Sequence, residues 1–456
     1  MEFPIPQKQA ELAKMRTQRS GRWLPRQPCL GARMCHWHIL FHDSEGCESM
    51  EIRKKYRLVL TGILALCLAG LLALGYGEAK EQIPDAYVQT RGEKGPETGS
   101  IFVTETRTPA VEEVSVSGGQ EGSYSIQYRY LGVIPLKEVQ VTVRDPMELI
   151  PGGMPVGIYM ETRGVLAVGT GAVEGADGLN HEPATGIVEG GDYICSVNGK
   201  AVTEKEDLIQ RVQETGEKPV LLGLEREGEE RKVQVKAVEA SDGTYKLGIW
   251  VRDNTQGIGT ITFLTKEGSF GALGHGIADA DTGTLLEMSE GNLYDTEIVG
   301  IRRGRTGDPG QLTGLIRYRK QLLCGNLEKN TVAGIFGTCA ERLKDRAGTE
   351  ALQVGYRQEV ELGEAWIRSG MSGEIRDYRA EIIEIYRKER DVNKGMVLRV
   401  TDPELLRTAG GIVQGMSGSP ILQNGKIIGA VTHVFVQDSA KGFGIFIENM
   451  LEQLIR

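Results

Sequence analysis

Ser417 stands in Gly411-Ile412-Val413-Gln414-Gly415-Met416-Ser417-Gly418-Ser419-Pro420, a serine bracketed by glycines on the approach to an apolar strand. Glycine admits backbone conformations closed to other residues. A loop built this way can turn the serine hydroxyl outward while the amides of Gly415 and Ser417 converge on one point. Acyl transfer needs that arrangement, a nucleophile beside two N–H donors that hold a developing oxyanion. The same decapeptide also fits a surface hairpin. Its meaning therefore depends on finding a base and an orienting acid elsewhere.

Beyond residue 240 the histidines are His275 and His433. His275 lies in Phe270-Gly271-Ala272-Leu273-Gly274-His275-Gly276-Ile277, a glycine-flanked turn after a strand. An imidazole with its ordinary pKa near ~6.5 suits a base that takes a serine proton at neutral pH. His433 falls on the strand after the nucleophile, where it either lines the substrate cleft or packs. The acid is open between two aspartates. Asp402, in Val400-Thr401-Asp402-Pro403-Glu404, precedes the serine loop and also reads as a helix N-cap with Pro403 at the first helical position. Asp308, in Thr306-Gly307-Asp308-Pro309-Gly310, has the context of a turn. Asp279 and Asp281 are expected to shape the turn that follows His275.

The elements that must position these groups are mainly β. The chain has 456 residues, enough for two or three domains, and 61 are glycine, well above the ordinary share of about 7%. The net charge is −9 and no basic tract follows the N-terminal region, which excludes a nucleic-acid partner. The seven cysteines form no CxxC pair; Cys324 and Cys339 are either a lone disulfide or buried thiols. No HExxH or comparable cluster follows the leader, and neither a metal nor another cofactor is expected.

Arg53, Lys54, Lys55 and Arg57 precede an uncharged apolar run over 58–74, and Gly75-Tyr76-Gly77 offers small residues for cleavage. Residues 50–77 are thus a signal peptide or a membrane anchor, with everything after about residue 78 exported. Residues 1–49 carry Cys29, Cys35, His36, His38, His42 and Cys47, zinc-type residues without the spacing of a finger. They read as a non-native or unstructured extension, translation starting at Met1 or at Met50. Residues 78–124 read as a linker and 125–147 as a short β segment, with Val139-Gln140-Val141-Thr142-Val143 alternating strictly.

Residues 148–240 resemble a PDZ domain. Ala184-Thr185-Gly186-Ile187-Val188-Glu189-Gly190-Gly191-Asp192-Tyr193-Ile194 is similar to a signature of that family, and Val197-Asn198-Gly199-Lys200 supplies a hairpin turn. Thr203-Glu204-Lys205-Glu206 predicts a capping box before a helix with Leu208, Ile209 and Val212 on its apolar face. The resemblance implies that Pro155, Val156, Gly157 and Ile158 form the carboxylate-binding loop. It implies as partner a peptide or C-terminal tail, added to a sheet edge. Residues 247–456 are long enough for two small β-barrels, and Gly259-Thr260-Ile261-Thr262-Phe263-Leu264, Met396-Val397-Leu398-Arg399-Val400 and Lys426-Ile427-Ile428-Gly429-Ala430-Val431 read as their strands.

The leader, the PDZ-like stretch, Gly271-Ala272-Leu273-Gly274-His275-Gly276 and the serine decapeptide together resemble the stage IV sporulation protein B peptidase family of endospore formers. Gly132-Val133-Ile134-Pro135-Leu136-Lys137 adds to the match, which runs from about residue 50 to 456. The resemblance implies a PDZ domain followed by a chymotrypsin-like double β-barrel serine peptidase. It implies His275 as base, Asp402 as orienting acid and Ser417 as nucleophile. It further implies secretion from the forespore into the space between two membranes, and as substrate a membrane-bound inhibitor of an intramembrane protease that processes a sigma factor precursor. Two positions depart from the wider chymotrypsin pattern. Met416 stands where digestive enzymes carry an aspartate that pairs with a freed N-terminus, and Ser419 replaces a glycine. The competing reading is an inactive secreted scaffold whose PDZ groove binds membrane-protein tails.

Overall fold

A computed structural model describes residues 45–92, 102–109, 122–388 and 391–455. Cys29, Cys35, His36, His38 and His42 lie outside them. Contacts divide the chain into residues 1–73 and 74–456. Helix α1, Glu45–Gln82, contains Arg53–Glu81, long and apolar enough to cross a membrane by length and composition.

The segment expected to be a linker contributes to a four-stranded sheet instead. Strands β1 (Ala86–Thr90), β2 (Val103–Pro109), β3 (Gly122–Tyr130) and β4 (Ile134–Arg144) stand in the order β1-β4-β3-β2. The β3–β4 pair alone would leave two open edges, a marginal arrangement in water. The Thr- and Val-containing strands β1 and β2 cover those edges, β1 parallel to β4 and β2 antiparallel to β3. Ile83, Ile126, Tyr128, Val139 and Val141 form the core of this sheet.

Two six-stranded rings follow. In the first, β6 (Pro155–Thr170) pairs with β10 (Ile249–Leu264), then β11 (Ser269–Ala272), β14 (Gly334–Cys339), β13 (Leu323–Thr331), β12 (Met288–Arg302) and back to β6. In the second, β15 (Gly363–Ser369) pairs with β16 (Arg376–Ile385), β17 (Met396–Val400), β20 (Asp438–Phe446), β19 (Lys426–Phe435), β18 (Pro420–Gln423) and returns to β15. Strand β5, Glu148–Pro151, joins the two by pairing with β10 and with residues 352–353, which lead to β19. Each ring has its own apolar filling, and Met416 belongs to that of the second.

The PDZ body is inserted into the first ring. Strands β6 and β10 are each 16 residues long, and their far ends leave the barrel and enter a second sheet. There, Val165 and Leu166 pair with β7 (Tyr193–Val197), which pairs with β8 (Pro219–Arg226) and through it β9 (Glu229–Lys236). Helix α2, Lys205–Thr215, buries Leu208 and Val212 against this sheet, while Ile209 stays 54% exposed. The expected capping box is absent: Glu204 is the N-cap and makes no side-chain cap bond. Asp253 of β10 replaces it, accepting from the Lys205 amide at 2.9 Å. The hairpin at Asn198-Gly199 forms as the dipeptide predicts, both residues at positive φ.

The expected carboxylate-binding loop is corrected by the same architecture. Pro155, Val156, Gly157 and Ile158 are buried residues of β6, hydrogen-bonded to β10 on one side, with residues 156–158 also paired to β12 on the other. They are neither a loop nor a free edge. The groove of the PDZ body, about 660 Å³, lies between Leu208, Ile209 and Val212 of α2 and Gly248-Ile249-Trp250 at the start of β10. Gly248 has φ +65°, and a Cβ there would strike the Gly171 carbonyl. Cys324 and Cys339 are free thiols, pushed up by burial to about 11 and about 12.

Candidate active site

Ser417 lies in the loop between helix α3 (Pro403–Thr408) and β18, and this loop is held by the opposite barrel. Thr260 and Thr262 of β10 are buried and donate their hydroxyls to the carbonyls of Gly415 and Gly418, each at 2.8 Å. The Thr260 amide donates to the Ser417 carbonyl at 2.9 Å, fixing the loop from a third point. Gly418, at φ +92°, must be glycine because a Cβ would strike the Thr260 carbonyl and the Leu273 amide. Among the described residues no hydrogen bond runs from the amides of Gly415 or Ser417, whereas those of Met416, Gly418 and Ser419 are all engaged. Two N–H groups beside the hydroxyl are thus left for an incoming oxygen.

His275 follows the short strand β11 on a turn where Leu273 and Gly274 both have positive φ. Two asparagines hold that turn. Asn330 of β13 bonds both the amide and the carbonyl of Ile277, and Asn393 donates to the Gly274 carbonyl at 2.6 Å. The His275 Nδ1 lies 2.9 Å from the Gly276 carbonyl, which can only accept. Nδ1 therefore carries the proton and Nε2 is left basic. Burial pushes the His275 pKa below the ordinary histidine value, a shift only partly opposed by the bond to Gly276. The imidazole is accordingly neutral at pH 7.

His275, Ser417, Gly415, Thr432 and His433 line one cleft of about 450 Å³ between the barrels. The Ser417 hydroxyl donates to the Thr432 carbonyl at 2.7 Å, so it rests on the floor of the cleft with His275 in the same cavity. The rings of His275 and His433 lie 4.9 Å apart and are tilted by 32°. Desolvation, then the proximity of His275, pushes the His433 pKa down to about 4, although the residue keeps an exposed edge. Ile158, expected in a peptide loop, is a wall of this cleft.

Asp402 is not brought to His275. Its Oδ1 accepts from the amides of Glu404 and Leu405 at 2.9 and 3.0 Å, and its Oδ2 from the Arg379 amide at 3.4 Å. It caps α3 and does not line the cleft. Asp308 pairs with Arg302 at 2.7 Å on the exposed surface. Asp279 and Asp281 shape the turn after His275 as expected, and both also bond Arg252 of β10. Sequence reasoning missed Thr260, Thr262, Asn330 and Asn393, each distant in sequence from the loop it holds. It also missed Gly248, where an apolar–Gly–apolar triplet after a turn was the available signal.

Comparison with known proteins gives two family matches. The SpoIVB peptidase S55 family matches residues 243–451, and the Tricorn protease PDZ domain matches residues 181–240. No curated protein matches the chain. Among solved structures, the PDZ domain of the SdrC-like protein Lmo2051 from Listeria monocytogenes is 19% identical. It covers 20% of this chain and 87% of that one, with a TM-score of 0.17. The inactive form of the Rv3671c protease is 16% identical, covering 44% of this chain and 83% of that one, with a TM-score of 0.24. Residues 243–451 thus resemble the SpoIVB peptidase S55 family and residues 181–240 a PDZ domain, and the chain is a PDZ-containing serine peptidase.

Proposed function

We propose that Ser417 is the nucleophile and His275 the general base of an endopeptidase held at the membrane by α1. The observation that carries this reading is the shared cleft, which is lined by both a neutral His275 and Ser417 and by Gly415, the amides of Gly415 and Ser417 having no hydrogen bond among the described residues. Ser417 Oγ leaves the Thr432 carbonyl, passes its proton to His275 Nε2 and attacks the scissile carbonyl. The oxyanion then sits on the two amides, and His275 returns the proton to the leaving amine. The backbone carbonyl of Gly276 fixes the imidazole tautomer, the part an aspartate plays in other triads. His433 packs beside the base, where it meets the substrate chain.

The substrate we infer is a membrane-bound regulatory protein in the space between the forespore and mother-cell membranes, whose cleavage releases processing of a sigma factor precursor. The family match over residues 243–451 supports this role, and so does the presence of a peptide groove and a candidate catalytic cleft on one chain with a helix able to cross a membrane. The groove between α2 and Ile249 would take an extended tail of that substrate. The last turns of α1 pack into the small sheet through Tyr76 and Ala79, which supports an uncleaved anchor over a removed signal peptide. A fluorophosphonate probe tests the site: it should label Ser417 in the wild type and nothing in Ser417→Ala. Equal labelling of the two proteins would reject the nucleophile and revive the scaffold reading.

A further inference from the structure

The β3–β4 hairpin ends in an apolar tip that neither the catalytic cleft nor the peptide groove uses. Val133 is 75% exposed, Leu131 and Ile134 are each 45% exposed, and Phe102, which precedes β2, is 52% exposed beside them. The Leu131 amide donates to the Phe102 carbonyl at 2.7 Å, so these residues form one patch. From Tyr130 to Leu136 no residue is charged, while Arg129 and Lys137 flank the stretch. Leu131 has φ +52° and is followed by Gly132 at φ +76°. The first is a conformation that disfavours leucine and suits asparagine or glycine. A strained, solvent-facing leucine at a turn points to a role outside the fold of its own sheet.

The direction of the tip follows from two hydrogen bonds to α1 and the residue after it. Lys137 Nζ donates to the Ile83 carbonyl at 2.9 Å, and two residues back along β4 the Pro135 carbonyl accepts from the Tyr76 hydroxyl at 3.1 Å. The Tyr76 ring also meets Tyr130 edge-on at 5.9 Å. Moving from Lys137 to Pro135 thus descends from the end of α1 to Tyr76, and the tip continues toward Leu74, where the apolar run closes. Arg129 and Lys137 lie behind the tip, as basic residues do on the water side of a membrane boundary.

We propose that residues 131–134, with Phe102, are a second membrane contact, dipping into the headgroup–acyl boundary of the bilayer that α1 crosses. The inference rests on reading α1 as an uncleaved anchor. The hairpin suits that place because the backbone amides of Leu131 and Val133 are already satisfied by the carbonyls of Phe102 and Tyr130. Anchored at a helix and a hairpin together, the peptidase would be fixed in orientation instead of swinging on one tether.

The test uses the full chain reconstituted in phosphatidylethanolamine–phosphatidylglycerol vesicles that carry an acyl-chain diazirine phospholipid. After irradiation and tryptic digestion, lipid adducts are sought in peptides 58–80 and 130–137. Both should be labelled in the wild type. In the double variant Leu131→Asn, Val133→Asp the adduct on 130–137 should be lost while that on 58–80 and fluorophosphonate labelling of Ser417 persist. Asparagine suits the left-handed turn, so this variant keeps the hairpin. Labelling of 58–80 without 130–137 in the wild type overturns the second contact and leaves the anchor standing. Absence of both adducts overturns both readings, and an adduct on 130–137 that survives in the variant overturns the role of the tip.

Discussion

Asp402 spends its carboxylate on three backbone amides, those of Glu404, Leu405 and Arg379, and this decides what its replacement should do. Asparagine caps a helix as well as aspartate does. Asp402→Asn should therefore leave kcat near the wild-type value, where loss of a triad acid costs on the order of 10⁴. A loss of that size would restore the triad. The state of His275 can be read from pH. A base works when neutral, and burial holds the His275 pKa below the ordinary ~6.5, so the acid limb of kcat/KM should be centred below 6.5. An acid limb centred at or above 6.5 would contradict the buried, Gly276-bonded imidazole.

Strand β10 carries three tasks along its length. Ile249 and Trp250 border the peptide groove, Gln256, Gly257 and Ile258 border the catalytic cleft, and Thr260 and Thr262 hold the nucleophile loop. Its partner β6 is as long and pairs with it through both bodies. The fragment 247–456 lacks β5 and β6, which opens the first ring and leaves β10 and β12 each with one edge uncovered, so it should not fold to a fluorophosphonate-reactive form. Excising 164–251 and closing Arg163 to Arg252 with an Asn-Gly turn keeps the barrel portions of both strands. That protein should label at Ser417 yet lose selective cleavage of its target. A reactive 247–456 fragment would show that β6 is dispensable. What sequence could and could not reveal follows the same division. The serine loop, the histidine turn and the Asn198-Gly199 hairpin are written in contiguous residues with distinctive backbone demands. Pro155-Val156-Gly157-Ile158 was misplaced because a glycine among apolar residues marks a loop or a close approach equally well. Here Gly157 lies against Thr296 and Ile316, residues that only the closed barrel brings near. The linker expectation over 78–124 failed because β1 and β2 are defined by the edges they cover, information held in β3 and β4.

In the molecule as a whole, the rings close between strands far apart in the chain. Strand β6 waits for β12, and β5 waits for residues 352–353, while the nucleophile loop comes after all of them. Pairings over such distances form late because the loops between them must close first. Met416 fills a barrel core, so the buried salt bridge that switches on digestive enzymes has no counterpart in this loop. The order of assembly offers a different control. In a chain exported from α1 onward, as proposed above, the peptide groove would be outside while Ser417 is still within. The last stretch to emerge would bring the proposed nucleophile and the β18–β19 hairpin that supports it, so a half-delivered chain would have no complete site and translocation itself would time the onset of hydrolysis.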